Sequence, residues 1–388
     1  MRDSEANASL GRRRAQGRSS HDLHRRKLHE NTRLTMNLPS KLEILIKQAA
    51  HDAGFELAGI APLRKHPELN DFSEWVAAGY AGEMKYLETR GENGELKRAS
   101  PEMTFPWARS VIVCAINYNT AQPYSTEVRD PQRGWISRYS WSREDYHEAV
   151  MRKLREVETK LREIVPDTNL TTRCYVDTGP LVERVFAKYA GIGWLGKNTC
   201  LINQKIGSWL FLGVILTSLE LSPDLPAPDR CGSCTRCIDA CPTDALIAPY
   251  QLDSNKCISY LTIEKRGEIP EEKRAGIGRH VYGCDICQDV CPWNRKAPAT
   301  TAEEFQPREG LVNPALAWLA EMSHEEFREK FRGSPIKRAK RTGLRRNAVI
   351  AMGNSGDPTL MPSLEDLVAD EDAIVADAAR WALERLTK

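Results

Sequence analysis

The stretch Cys231-Gly232-Ser233-Cys234-Thr235-Arg236-Cys237-Ile238-Asp239-Ala240-Cys241-Pro242 decides how this chain is read. Its spacing is C-x2-C-x2-C-x3-C-P, the pattern that holds iron–sulfur cubanes. Three close thiolates hold one face of a cluster, and the fourth turns away to ligate a second one. Zinc sites use two C-x2-C pairs set far apart, which this is not. A partial copy follows at Cys284-Asp285-Ile286-Cys287-Gln288-Asp289-Val290-Cys291-Pro292. It lacks a cysteine three residues before Cys284, where Val281 stands, and Cys257 is the other cysteine of the region. The count closes with Cys231, Cys234, Cys237 and Cys291 on one [4Fe-4S] cluster. Cys241, Cys257, Cys284 and Cys287 then hold the other. Cys114, Cys174 and Cys200 remain and read as packing residues.

Outward from this module, the totals exclude several classes. The chain has 388 residues, 11 of them cysteine, with 55 Lys and Arg against 53 Asp and Glu, a net charge of +2. An odd cysteine count without a secretory apolar segment argues against a disulfide scaffold. No run approaches the roughly 20 apolar residues of a membrane helix. A near-neutral total excludes a chain that is basic throughout but not a local basic patch.

Residues 1–36 carry nine bases and four acids with few apolar positions and no helical period, so they read as a disordered basic extension. Arg12-Arg13-Arg14 has no apolar stretch after it and is not an export signal. Met36 reads as a natural start, because a helical pattern follows at Leu42, Ile44, Leu45, Ile46 and Ala49. Residues 37–225 read as an α/β domain within an α+β chain. The expected strands are at 55–60, 110–116, 171–177 and 209–216, and the expected helices at 147–165 and 180–190. Residues 226–295 are the ferredoxin-like two-cluster domain. Residues 296–388 are helical, and Asp357-Pro358 with Ala378-Ala379-Arg380-Trp381-Ala382-Leu383 has the look of a HEAT-type repeat. Two clusters pass single electrons, and residues 37–225 are far more than a bare carrier needs. The clusters therefore feed a redox centre in that domain. Gly191-Ile192-Gly193-Trp194-Leu195-Gly196 follows a helix, the wrong context for a dinucleotide fingerprint, so direct NAD(P)H binding is not expected.

Several segments carry a family resemblance: 75–84 (WVAAGYAGEM), Arg138-Tyr139 with Asp145-Tyr146-His147, and 175–180 (YVDTGP) with Glu183-Arg184. So do 193–199 (GWLGKNT), 257–264 (CISYLTIE), 282–288 (YGCDICQ) and 345–348 (RRNA). From Met36 to Lys388 the chain resembles the bacterial epoxyqueuosine reductases. The resemblance implies a nitroreductase-like cobalamin-binding domain, with cob(II)alamin as resting form, beside two [4Fe-4S] clusters and a C-terminal HEAT-like module that holds tRNA. It implies reduction of the wobble epoxyqueuosine of tRNAs for Asp, Asn, His and Tyr to queuosine, with oxygen leaving as water. It also implies a cytoplasmic monomer that takes electrons from an external low-potential donor of ferredoxin or flavodoxin type, with no membrane contact. The competing function is a cobalamin and iron–sulfur reductase of small molecules, of the reductive dehalogenase kind.

Within that frame each site residue has an expected role. Asp177, by itself a plausible helix cap, becomes the proton donor, and its pKa is expected to be raised. Arg98, Arg138, Tyr139, Ser140, Lys197, Asn198 and Thr199, together with Asp177, are expected around cobalamin. His147 is expected to be structural. Lys337, Arg338, Lys340, Arg341, Arg345 and Arg346 form a run with no acid among residues 334–347, which alone reads as a solvated face. With the resemblance it reads as a phosphate-tracking patch for an anticodon stem-loop. Arg184 and Trp293 are further candidates for RNA contact.

Overall fold

The strand Ser110–Asn117 is buried at all eight positions. A strand apolar on both faces must be covered on both, and it becomes the centre of the molecule's main sheet. The computed structural model describes residues 40–388, so the basic extension read at residues 1–36 lies outside the described residues. Chain order gives α1 Lys41–Asp52, β1 Leu57–Pro62, β2 Ser110–Asn117, β3 Trp135–Ile136, α2 Tyr146–Ile164, β4 Thr172–Tyr175, α3 Glu183–Tyr189 and β5 Leu210–Thr217. The sheet order is β1-β2-β5-β4 with every neighbouring pair antiparallel. Ile112 pairs with Ile60 on one side and Ile215 on the other.

Strand alternation splits β2 between two cores. Ile112, Cys114 and Ile116 pack with Ile46 and Ala50 of α1 and Val150, Leu154 and Leu161 of α2. Val111, Val113 and Ala115 pack with Phe186 and Ala187 of α3. A Cβ on Gly213 would come within 2.8 Å of the Leu154 side chain, so the glycine lets α2 lie close on the sheet. Cys114 and Cys174 are buried in this core.

The cluster segment supplies α4 Arg236–Asp239, α5 Ile258–Ile263, β6 His280–Tyr282 and α6 Ile286–Asp289. β6 pairs in parallel with β3, which ties this segment to the sheet domain. The C-terminal part contains α7 Leu316–Glu321, α8 Lys340–Ser355, α9 Met361–Leu367 and α10 Ala373–Leu386. Every residue of α8 from Gly343 to Gly353 is buried, as expected of a helix surrounded by protein. Ala348, Val349 and Met352 share one core with Leu261 and Val281 of the cluster segment and Ala379 and Ala382 of α10. Residues 41–388 accordingly pack as one unit. Among the described residues no helix is long and apolar enough to cross a membrane.

One local expectation changes: α3 begins at Glu183 rather than Pro180. In the C-terminal helical stretch a 3-10 turn, Pro358–Leu360, runs into α9, and Pro358 and Pro362 each lack a backbone donor there.

Candidate functional site

Each cysteine motif wraps a one-turn helix, α4 or α6, with its last cysteine just after the helix and a proline behind it. All 11 cysteines are free thiols. Burial raises the Cys237 thiol, and Cys231 and Cys234 add to that rise. Burial raises Cys291 to about 11, with Cys231, Cys200 and Cys237 contributing. Burial likewise raises Cys257, with Cys241 beside it, and Cys284, with Cys257 beside it. Cys200, then burial, raises Cys287, and Cys284 and Cys257 add to that rise. Thiols crowded in this way favour a positively charged group that would take up their charge. The Ala245 N–H donates to the Cys241 sulfur at 3.3 Å, a bond suited to a ligating thiolate. Among the described residues no three ligands converge tightly enough for a single ion. The thiols of a cubane stand further apart than that, so the donor set fits clusters rather than zinc.

The turn after β4 and α3 fastens both motifs. Lys197 Nζ donates to the carbonyls of Gly232 (2.7 Å) and Cys234 (3.0 Å). Asn198, 4% exposed, donates to the Cys287 carbonyl and accepts from the Cys200 N–H, each at 3.2 Å. Cys200, half-buried, lies in hydrogen-bonding contact with the Cys287 thiol rather than in a strand core. Lys197 and Asn198 are therefore engaged with the cysteine loops. Arg138 is also engaged elsewhere: it is 3% exposed and donates to the carbonyls of Thr120 and Gln122. Ser140 is fully buried and bonds the Ser137 carbonyl. These four were expected at cobalamin, and in the structure their side chains bond these protein groups. Arg98 donates to the Leu181 carbonyl at 2.6 Å. The half-buried Tyr139 hydroxyl donates to the Tyr282 hydroxyl at 3.1 Å. Thr199 holds a left-handed φ of 63°, and its carbonyl accepts from Arg184. Trp293 packs edge-on against Trp194 beside Cys231 and Cys291.

Asp177 follows β4 with a left-handed φ of 58°, six residues ahead of the start of α3, so it does not cap that helix. Its side chain is 67% exposed. Tyr146 donates to Asp177 Oδ2 at 2.9 Å, and His147 Nε2 stands 3.6 Å away. His147 Nδ1 lies 2.8 Å from Asp145 Oδ1, and Asp145 also accepts from the His147 N–H as the cap of α2. The charged His147 ring beside it, then the Tyr146 hydrogen bond, hold the Asp177 carboxyl below the usual range. This corrects the expectation of a raised Asp177 pKa. The proton sits next door: burial pulls His147 down, but Asp145 and Asp177 outweigh it and raise the ring to about 9. Burial, then the charge of Asp177, pushes Glu183 up to about 7, and its Oε1 is buried without a partner. His147 and Glu183 were legible in the sequence only as members of matched motifs, and nothing there said that His147 would stand beside Asp177.

The basic run divides in two. Arg345, 3% exposed, is bound to Asp370 through both guanidinium nitrogens and to the Ala320 carbonyl. Arg346, 2% exposed, donates to the carbonyls of Leu261, Lys265 and Gly267. Neither is available to RNA, which corrects that expectation. Arg341 is half-buried on the Met322 carbonyl. Lys337, Arg338 and Lys340 are exposed. Lys337 acts electrostatically on Asp145, and the Arg338 guanidinium lies over the Tyr86 ring.

Two family models match the chain. Residues 230–294 match "4Fe-4S double cluster binding domain", and residues 98–178 match "Epoxyqueuosine reductase QueG, DUF1730". Epoxyqueuosine reductase of Pseudomonas aeruginosa is 38% identical over 353 residues, covering 89% of this chain and 95% of that one. The Synechocystis enzyme of the same name is 44% identical over 297 residues, covering 75% and 98%. A solved epoxyqueuosine reductase with an epoxyqueuosine-modified tRNA-Tyr stem loop superposes with a TM-score of 0.81 at 32% identity, covering 89% and 90%. The Bacillus subtilis enzyme, solved with an aspartate-bearing catalytic loop swung out of its active site, gives 0.80 at 31% identity, covering 89% and 90%.

Proposed function

The chain belongs to the epoxyqueuosine reductase family, and from that premise we propose that it reduces epoxyqueuosine at the wobble position of tRNA to queuosine. The observation that carries this reading is the Asp177–His147–Tyr146 group, in which Asp177 Oδ2 accepts from Tyr146 at 2.9 Å and lies 3.6 Å from His147 Nε2. The reading as a reductase of small molecules is not favoured. The relatives that share nearly the whole chain are epoxyqueuosine reductases, and one was solved with a tRNA stem loop.

Converting an epoxide to an alkene takes two electrons and two protons, and the oxygen leaves as water. Cobalamin and two [4Fe-4S] clusters, when bound, supply those electrons at low potential. Cys231, Cys234, Cys237 and Cys291 hold one cluster, and Cys241, Cys257, Cys284 and Cys287 the other. Glu183 Oε1, an orphaned acceptor beside Asp177, Arg98 and Arg184, fits a ligand rich in amide donors such as cobalamin. Arg98, Tyr139 and Thr199 stand with it as cobalamin contacts.

The chain's own residues manage the protons. His147 holds one near neutral pH and passes it through Asp177 Oδ2 to the departing oxygen. Glu183, titrating near 7, supplies the second. Paired acids with pKa values pushed apart divide such roles. Tyr146 keeps Oδ2 aimed while it is ionised. Lys337, Arg338, Lys340 and Arg184 meet the phosphates of an anticodon stem-loop. We read the sheet with α1–α3 as nitroreductase-like and α8–α10 as HEAT-like. The working form is a cytoplasmic monomer served by an external low-potential donor, of ferredoxin or flavodoxin type.

The deciding experiment is anaerobic reconstitution with iron, sulfide and hydroxocobalamin, followed by reaction with an epoxyqueuosine-bearing stem-loop and a chemical reductant. Stoichiometric cobalamin uptake and queuosine in the RNA are expected. Cobalamin uptake without queuosine would overturn the substrate.

A further inference from the structure

Tyr86 is an aromatic side chain held in the open. It is 46% exposed and sits in a 3-10 turn, Lys85–Glu88. The turn is not loose. The Tyr260 hydroxyl accepts from the Glu83 N–H at 2.8 Å, and Glu83 accepts from the Arg266 N–H at 3.1 Å and pairs with Lys265. Gly82, at φ 60°, fits only because a Cβ there would stand 2.5 Å from the same Tyr260 hydroxyl.

One face of the Tyr86 ring is backed by a cation. The Arg338 guanidinium carbon lies 5.3 Å from the ring centroid. Glu264 fixes that guanidinium, accepting from Nε at 2.9 and 3.2 Å and from Nη2 at 2.8 Å. A two-point carboxylate clamp holds the guanidinium plane in place. The solvent on Tyr86 therefore meets a ring that is already oriented. Burial and the charge of Glu264 raise the pKa of its hydroxyl, and the charges of Asp177 and Arg98 also reach it. Exposed Lys337 lies next to Arg338.

A fixed aromatic plane among exposed cations is the chemistry of single-stranded nucleic acid binding: rings stack bases and cations track phosphates. The reacting base must reach Asp177. We infer that Tyr86, backed by Arg338 and Glu264, stacks an unpaired base of the substrate RNA adjacent to the modified nucleotide. The inference rests on the proposed tRNA substrate and specifies how the loop is splayed.

The test uses the reconstituted holoenzyme and two stem-loops carrying 2-aminopurine, one on the 5′ side and one on the 3′ side of the modified position. Stacking on Tyr86 quenches the probe on one side. Tyr86→Ala is expected to abolish that quenching and weaken stem-loop binding about tenfold, the scale of one lost base stack. Tyr86→Phe is expected to keep both. Unchanged quenching and affinity in Tyr86→Ala would overturn the inference. Loss of the cobalamin spectrum in Tyr86→Ala would also overturn it, by assigning the ring to the cofactor. A wild-type enzyme that shows Tyr86-dependent quenching but makes no queuosine would sink the proposed reaction and leave the stack standing.

Discussion

At the scale of single residues, the acid–base assignment turns on where the proton rests. Asp177 lies below the usual carboxylate range, and His147 lies at about 9 from an ordinary value of 6.5. Near neutral pH the pair is therefore imidazolium and carboxylate. Turnover is expected to fall first as pH rises through about 7, when Glu183 loses its proton, and again through about 9, when His147 loses its own. In His147→Gln the kcat should drop and that alkaline limb should vanish from the pH profile; a superimposable profile would remove His147 from the reaction. Asp177→Asn should keep both clusters and cobalamin by absorption spectrum and lose queuosine formation. The same pairing has a stability signature. A raised folded-state pKa contributes fully below about pH 6.5 and its contribution is lost as pH rises through about 9. Melting temperature should follow that course in the wild type and flatten in His147→Gln. The motif around Asp177 was readable in the sequence, but its ionisation was not. That depends on a histidine 30 residues earlier, which a helix cap points at it.

At the scale of elements, two segments behave unlike their sequence pattern. Helix α8 opens inside a run of bases, yet Arg345 and Arg346 lie within the core. Breaking the buried Arg345–Asp370 pair by Arg345→Ala should destabilise the fold by about 3–5 kcal/mol, since it leaves an uncompensated buried charge. A thermal melt checks this, and an unshifted transition would contradict the burial. A charge run seen in sequence cannot tell a solvated face from arginines that cap the carbonyls of neighbouring segments, because those segments lie far away in the chain. The cysteine loops differ in this respect. Their ligand spacing is local, so the motif was legible, and even the odd position of Cys257 closed the count. Cys257→Ser should strip one cubane and leave the other, halving the iron per chain by chemical assay. Full iron content would refute its place among the ligands. What spacing did not reveal was the clasp of Lys197 and Asn198 on both loops.

At the scale of the whole molecule, the near-neutral total conceals an uneven surface. The exposed bases of the run are Lys337, Arg338 and Lys340, at and just before the start of α8. Replacing Lys337 and Lys340 together by Glu should weaken stem-loop binding. It should also flatten the plot of log affinity against log salt by about 1 to 1.5, the share of two phosphate contacts on a single strand. An unchanged slope would place the RNA elsewhere. The sequence by itself determined the two-cluster module and the buried strand at the centre of the sheet. Each is written in neighbouring residues: thiol spacing and unbroken apolarity. Only the tertiary structure decided which bases face outward, which histidine carries the proton and which tyrosine stands open. Those properties depend on burial and on partners brought together from distant parts of the chain, and short-range pattern carries no record of either.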